Sequence, residues 1–271
     1  MKLLKAHLPS LCSFISLFLI LVSQTSFSIE TSNLVQVRRY LIKYGYLNSV
    51  SSAYQLREKL DDDLAQAIKK YQSFSHLDSS GILDERTLAQ MAMPRCDMPD
   101  FVKGTPVPHG MKQVILRSNS SYYTFTASKW SKFNLTWALE PGTRADAMRP
   151  IKVAFDRWMS VSKFNFLESP VFNNSDLQIS FVKIGDGSGG TLANAGGPPS
   201  GKLHFDVDEK WVDGVVAGAF DIGTLGLHEI GHLLGLAHSD VKSAIMWPYF
   251  SRGVTKDLDP DDIAGIRALY P

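Results

Sequence analysis

Residues 228–238 read HEIGHLLGLAH and hold three histidines, one glutamate and two glycines. His228 and His232 are four apart, which on a helix leaves them about 40° apart around the axis and about 6 Å along it. Both imidazoles then aim a nitrogen at one ion, at the roughly 2.0–2.1 Å that zinc takes. His238 lies too far along to share that face if the helix continues. Gly235 tolerates a positive φ, which permits a sharp turn and returns His238 as a third ligand. Three neutral histidines leave zinc a fourth position for water, whose pKa the metal lowers from 15.7 to about 7. Glu229 stands beside that water, placed to take its proton and pass it to a leaving amine. With equal residue usage, HExxHxxGxxH arises by chance in roughly one chain in ten thousand of this length. The competing reading is an ordinary core helix with several histidines. Three histidines and a carboxylate buried without metal are costly, which weighs against it.

These side chains need a scaffold, and the patterning around them supplies one. In the C-terminal half, FNLTWALE and LQISFVKI have strand character, the second alternating Leu177, Ile179 and Phe181. Between them, ADAMRPIKVAFDRWM places Met148, Ile151, Phe155 and Trp158 on one helix face. DPDDIAGIRALY reads as a helix with Asp259 as cap, Pro260 in the first turn, and Asp261 and Asp262 at its positive end. Further upstream the texture is helical. VQVRRYLIKYGYL presents Val37, Leu41 and Tyr44 on one face, DDDLAQAIKKYQSF repeats Leu64, Ile68 and Tyr71, and DERTLAQM is a third, short helix. Pro, Gly and Ser dominate residues 94–122, which reads as a linker. The fold class expected is α+β: a small three-helix domain followed by a domain with a mixed sheet and helices.

The N-terminus indicates the compartment. Lys2 and Lys5 precede an apolar run from Leu11 to Val22, then small residues through Ser26 and Ser28. At about 12 residues the run is shorter than the roughly 20 that a spanning helix needs. It reads as a signal peptide cut near Ser28, and Cys12 leaves with it. The chain closes on RALYP with no hydrophobic tail for a lipid anchor, so the expectation is a secreted product without membrane anchor, a monomer, in the extracellular space or cell wall. Sequons at Asn119, Asn134 and Asn173 are glycosylation candidates on that route. A net charge of +1 without a basic cluster argues against nucleic acid as partner. Cys96 then remains as a lone thiol in a secreted chain, set in PRCDMPD, which flags a reactive group or an intermolecular bond. Its neighbours (prolines, an arginine, two aspartates) argue against a core position.

The histidine segment resembles the zinc signature of metzincin proteases, and SAIMWP resembles their methionine turn, with Met246 beneath the zinc. The whole chain is similar to matrix metalloproteinases, above all the plant members without a hemopexin domain. The resemblance implies a signal peptide (1–28), a peptidoglycan-binding-like helical propeptide (29–121) and a zinc protease domain (122–271). It implies a secreted endopeptidase made as a latent zymogen and acting on extracellular proteins or peptides. PRCDMPD matches the family's cysteine switch, so Cys96 is the implied fourth zinc ligand of the latent form, with Arg95 and Asp100 pairing to shape the segment. Thr224, Pro248 and Phe250 match the primary substrate pocket, read as open and apolar, suited to Leu. Ala193 falls in TLANAG, matching the edge strand that pairs with substrate. The ammonium of a mature chain beginning near Tyr122 or Tyr123 is implied to pair with Asp261 or Asp262.

Two departures from that pattern carry expectations. Asp97 stands where the switch has glycine, so it competes for Arg95 or strains the turn, and weaker latency is expected. Ile184 and Asn194 replace two histidines of the family's structural zinc site, leaving Asp186 and His204. Two ligands are too few for a closed four-coordinate site, so one catalytic zinc and no structural one is expected. Asp206 and Glu209 match calcium ligands whose partners are missing, which implies weak or absent calcium. Two alternatives stay open: a catalytically silent relative that binds extended polypeptides, and a helical domain that binds wall polysaccharide in its own right.

Overall fold

The computed structural model describes residues 34–48, 61–101, 116–118, 121–123 and 128–271. The apolar leader, Cys12 and Asn119 lie outside the described residues. The expected helices of the first half are α1 (34–43), α2 (Asp62–Phe74) and α3 (Glu85–Met91). Asp61 and Asp84 cap α2 and α3 by accepting from Leu64 and Thr87, which satisfies backbone donors that a helix start leaves open. Val37, Leu41, Tyr44, Leu64, Ile68 and Tyr71 are buried together, as their spacing predicts. Trp247 and Tyr249, from far along the chain, join the same cluster.

The second half is built on a five-stranded sheet of order β4-β3-β5-β7-β6. Its strands are β3 (Asn134–Leu139), β4 (Asn165–Glu168), β5 (Leu177–Val182), β6 (Ala193–Ala195) and β7 (Lys202–Asp206). All neighbours run parallel except β6, which is antiparallel to β7 and forms the edge, so the sheet is mixed as expected. Parallel strands need crossovers, and α4 (Met148–Val161) supplies the one between β3 and β4. Ile151, Phe155 and Trp158 of α4 are buried, whereas Met148 is exposed at 37%. The periodic face therefore starts one turn later than its spacing suggested, because Met148 is the first residue of the helix, where no preceding helical turn covers it.

Helix α5 (Ile222–Leu233) carries the first two histidines and packs on α4. The approach is close: a Cβ on Gly226 would lie 2.7 Å from Ile151 Cδ1, and Trp158 Nε1 donates to Leu227 O at 2.7 Å. Helix α6 (Pro260–Leu269) follows with a full capping box between Asp259 and Asp262. The linker expectation for 94–122 needs correction on two counts. Short strands β1 (Leu116–Ser118) and β2 (Ser121–Tyr123) pair antiparallel, and β8 (Trp211–Val212) and β9 (Phe220–Asp221) form another two-stranded ladder the sequence did not signal. Residues 94–101, moreover, are not a free connector but lie against the sheet edge. Among the described residues, no helix is long and apolar enough to cross a membrane.

Candidate metal centre

Helix α5 is buried on nearly every side, so its polar residues must find partners inside the protein. His228 Nδ1 meets Ile245 O at 2.7 Å and His232 Nδ1 meets Leu236 O at 2.8 Å. Each carbonyl fixes a tautomer and turns Nε2 toward a common point, the arrangement that orients metal-binding imidazoles. Gly235 has φ +102°, and the chain turns there as its motif position requires. His238 returns with Nδ1 2.7 Å from Asp100 Oδ1, which makes Nε2 its ligand nitrogen.

The four donors converge. His228 Nε2 and His232 Nε2 are 3.1 Å apart, Cys96 Sγ is 3.5 Å from His232 Nε2, and one ligand atom from each of the four residues falls within 4.8 Å of the others. Donors held about 2.0–2.3 Å from a shared zinc at tetrahedral angles stand about 3.3–3.7 Å apart. One of the closest pairs lies within that spacing and the other 0.2 Å short of it, so the donor set fits zinc. Burial, above all, and then neighbouring His232, His238 and Lys256 push His228 well below the usual imidazole range. His232 is lowered by burial and by His238. Both therefore stay neutral and available as ligands. Burial, followed by the Glu229 carboxylate, pushes the Cys96 thiol up. A bound cation reverses that preference and favours thiolate.

Cys96 is fully buried, which corrects the expectation that its polar neighbours keep it out of the core. The reason lies in where those neighbours go. Arg95 forks onto Asp100 with Nη2–Oδ1 at 2.6 Å and Nη1–Oδ2 at 3.1 Å, and lies 3.5 Å over the Tyr44 ring. Tyr46 Oη adds a bond to Asp100 Oδ2 at 2.7 Å. Burial pulls the Asp100 carboxyl up, but Arg95 and His238 outweigh it and hold it at about 2. A single carboxylate thus ties the pairing arginine to a histidine of the converging set, a link that nothing in the motif's spacing announces.

The backbone of residues 94–97 fills the cleft as an added strand, parallel to the edge at Thr191 and antiparallel to the wall at Tyr249. Arg95 N donates to Gly190 O, Leu192 N to Arg95 O and Asp97 N to Ala193 O; on the other side Cys96 N reaches Pro248 O and Phe250 N reaches Pro94 O. Ala193 and Pro248 to Phe250, the residues matched to substrate binding, are thus the ones the segment occupies. Tyr249 Oη bonds Tyr40, Tyr71 and Arg95, and Trp247 stacks on Phe74 at 5.7 Å, so the wall also docks the helical domain.

Asp97 does not take Arg95. Its carboxylate pairs with Lys43 of α1 and accepts from Thr191 Oγ1 at 3.3 Å, and its φ is not positive. Both reasons for expecting weaker latency fall away. The Lys43–Asp97 pair is 46% and 27% exposed, which limits it to about 1 kcal/mol or less after screening. Asp97→Gly is accordingly expected to speed self-activation by up to about fivefold. A slower rate in a zymogen-processing time course would restore the strained-turn reading.

Glu229 is fully buried beside His228, neither carboxylate oxygen having a hydrogen-bond partner among the described residues, and burial, with Asp97 adding and the Cys96 thiol opposing, pushes its carboxyl up to about 8. Met246 lies beneath the centre. A Cβ on Gly231 would come 2.4 Å from Met246 Sδ and 3.1 Å from Trp158. A glycine inside a helix costs about 1 kcal/mol against alanine, and this contact is what it allows. Gly231→Ala is expected to cost about 1–3 kcal/mol by overpacking and to lower Tm by roughly 2–12 °C in calorimetry. The methionine turn itself hangs on Asp262, which accepts from Ile245 N at 2.7 Å, Met246 N at 3.1 Å and Asp259 N at 2.8 Å. Asp261 Oδ2 accepts from Ser239, while its Oδ1 is buried without a hydrogen-bond partner among the described residues.

The remaining sequence candidates lie apart from this centre. Asp186 accepts from Thr191 N at 2.8 Å and His204 meets Ser180 Oγ at 2.7 Å. Asp206 Oδ1 accepts from Asp208 N, and Glu209 pairs with Arg252 at 3.2 Å. Thr224 Oγ1 donates to Asp221 and accepts from Lys256 N at 3.0 Å. Asn134 and Asn173 are exposed. Burial pushes the Lys256 ammonium down to about 8, against the raising effect of Asp262 and Asp259.

A mixed sheet over a histidine-bearing helix, with a third histidine returned by a glycine turn, brings together a donor set that could hold a metal ion. Residues 129–271 match the family model for Matrixin, and residues 30–91 match that of a putative peptidoglycan binding domain. The chain is 35% identical over 270 residues to Metalloendoproteinase 2-MMP of Arabidopsis thaliana, covering 89% of this chain and 71% of the relative. It is 35% identical over 257 residues to Metalloendoproteinase 1 of Glycine max, covering 88% and 81%. It is also 35% identical over 243 residues to Matrix metalloproteinase-19 of Homo sapiens, covering 85% and 44%. The chain belongs to the matrixin family of metalloendopeptidases.

Proposed function

We propose that the chain is a zinc-dependent endopeptidase, exported behind a signal peptide at 1–28 and made as a zymogen with propeptide 29–121 and catalytic domain 122–271. The observation that carries this reading is Cys96 Sγ at 3.5 Å from His232 Nε2, on a segment that fills the cleft as a strand. His228, His232 and His238 hold the metal, and Cys96 completes its shell in the latent form. Zinc bound there supplies Lewis acidity, bringing the pKa of water near neutrality and polarising a carbonyl.

The chain's own groups do the rest. Glu229 takes a proton from the attacking water and returns it to the leaving amine. Once residues 94–97 leave, the backbone groups of Gly190, Leu192, Ala193, Pro248 and Phe250 are open to an extended polypeptide, whatever its side chains. Met246, seated on Gly231 and held by Asp262, gives the histidines a rigid floor. Asp262 is committed to three backbone donors, so Asp261 is the partner we assign to the ammonium of the mature chain. The substrates are extracellular proteins or peptides and the enzyme works as a monomer, with sugars on Asn119, Asn134 and Asn173. Glu209 is already neutralised by Arg252, so calcium contributes little there, and one zinc per chain is the expected content.

The test is residues 29–271 treated with a thiol-modifying reagent and assayed on a quenched peptide, with zinc measured by elemental analysis. Turnover that appears on treatment and disappears with a chelator, at one zinc per chain, is expected. Silence with zinc bound would favour a binding protein instead, and two zinc atoms per mature chain would refute the single-site assignment.

A further inference from the structure

The three histidines of the centre are not held alike. His228 Nδ1 donates to Ile245 O and His232 Nδ1 to Leu236 O, both backbone acceptors from the same half of the chain. His238 Nδ1 donates instead to a carboxylate, Asp100 Oδ1, from a segment 138 positions away. Both of these side chains are fully buried. Asp100 is itself fixed on all sides. Arg95 bonds both of its oxygens, Tyr46 Oη donates to Oδ2, and its own N–H donates to Tyr44 O at 3.1 Å. A carboxylate so held leaves the imidazole little freedom to turn. A carboxylate behind an imidazole also strengthens it as a ligand, and such outer partners are worth about 10–100-fold in metal affinity.

Loss of the segment that carries Asp100 therefore takes two things from the centre at once. One is the Cys96 thiolate. The other is the acceptor behind His238, while the acceptors behind His228 and His232 stay where they are. We propose that Asp100 is a positioning residue for the metal: through His238 it gives the zymogen a firmer hold on zinc than the processed enzyme has, over and above the contribution of Cys96. This rests on the zinc zymogen reading above and goes beyond latency, because it concerns how the metal is loaded and kept rather than how the cleft is blocked. It also separates Asp100 from Arg95. Were the pair only a brace for the segment, removing either member would have the same result. Arg95 has no acceptor to offer an imidazole, and as a cation it opposes a metal ion nearby.

The experiment measures the zinc dissociation constant of residues 29–271 by competition with a chromophoric chelator. Stoichiometry is fitted, so misfolded chain does not enter the constant. Every chain carries Glu229→Gln against self-cleavage and Cys96→Ala to remove the thiolate. In that background Asp100→Asn is expected to weaken zinc about 10–100-fold, and Arg95→Gln to change it less than about threefold. Equal losses from the two would overturn the assignment, since the shape of the segment would then be what counts. A change below about twofold from Asp100→Asn would overturn it too. Processed wild type needs no substitution, and it should hold zinc about tenfold or more weakly than the Cys96→Ala, Glu229→Gln zymogen. Equal affinity there would again overturn the assignment. A zymogen with Cys96 intact that binds no zinc would overturn the zinc reading itself, and this inference with it.

Discussion

Cys96→Ala is expected to cleave a quenched peptide with no activation step, at a rate about 10²–10³ above that of the untreated wild-type zymogen. The magnitude follows from what the thiolate contributes. Four-ligand zinc sites of this kind bind with about 10–16 kcal/mol, so one ligand accounts for about 2.5–4 kcal/mol. At about 1.4 kcal/mol per tenfold, this corresponds to two to three decades of opening. The variant should still fall short of the processed enzyme. Five main-chain hydrogen bonds hold residues 94–97 in the cleft, and Arg95, Asp100, Tyr46 and Tyr249 remain to shape them. Initial rates, read while the chain is still intact on a gel, separate the two contributions. A Cys96→Ala chain as silent as the wild type, with zinc bound, would mean that strand pairing alone enforces latency.

Glu229→Gln is expected to lower kcat of the activated enzyme by about 10²–10⁴, the range for loss of a positioned general base. The amide keeps the shape of the side chain and cannot accept the proton. Fold and metal should survive, because Glu229 is not one of the four converging ligands. Burial already disfavours its charged form, so a neutral amide removes a desolvation cost rather than adding one. Zinc content should stay at one per chain and the Tm of the zymogen should not fall. An activity loss smaller than tenfold, with zinc retained, would exclude Glu229 as the base and leave the proton to another group. The pair of variants is informative together, since one opens the cleft and the other silences it on the same helix and segment.

The histidine cluster was legible because its chemistry is local. His228, Glu229, His232 and His238 lie within a span of 11 residues, and helix geometry plus one glycine turn brings them together without reference to the rest of the chain. The same holds for α2 and α4, whose apolar spacing states the buried face, and for the start of α6, which its acidic cap marks. Only Met148 was misplaced, at a helix end where the period has no earlier turn to lean on.

The placement of residues 94–97 against the sheet edge was legible only in outline. PRCDMPD marks Cys96 as a ligand by resemblance, and a solvated linker was the reading of its composition. The structure buries it instead, because Arg95 and Asp100 neutralise each other inside and the prolines suit an extended strand rather than a loop. Asp97 shows the same limit in reverse. Nearness in sequence suggested Arg95 as its partner, but the Arg95 fork is already taken by Asp100, so Asp97 meets Lys43 and Thr191.

The sequence by itself thus determined the histidine-bearing helix and the α+β class with its mixed sheet, and pointed to the chemistry proposed for them, since each is carried by residue type and short-range period. Tertiary structure alone decided which carboxylate holds His238, which aspartate of α6 holds the methionine turn, why Gly231 has no side chain, and where Lys256 points. Those depend on contacts between residues 14 to 138 positions apart. No local period encodes such pairs; they exist only once the sheet, the helices and the docked strand have closed around one another.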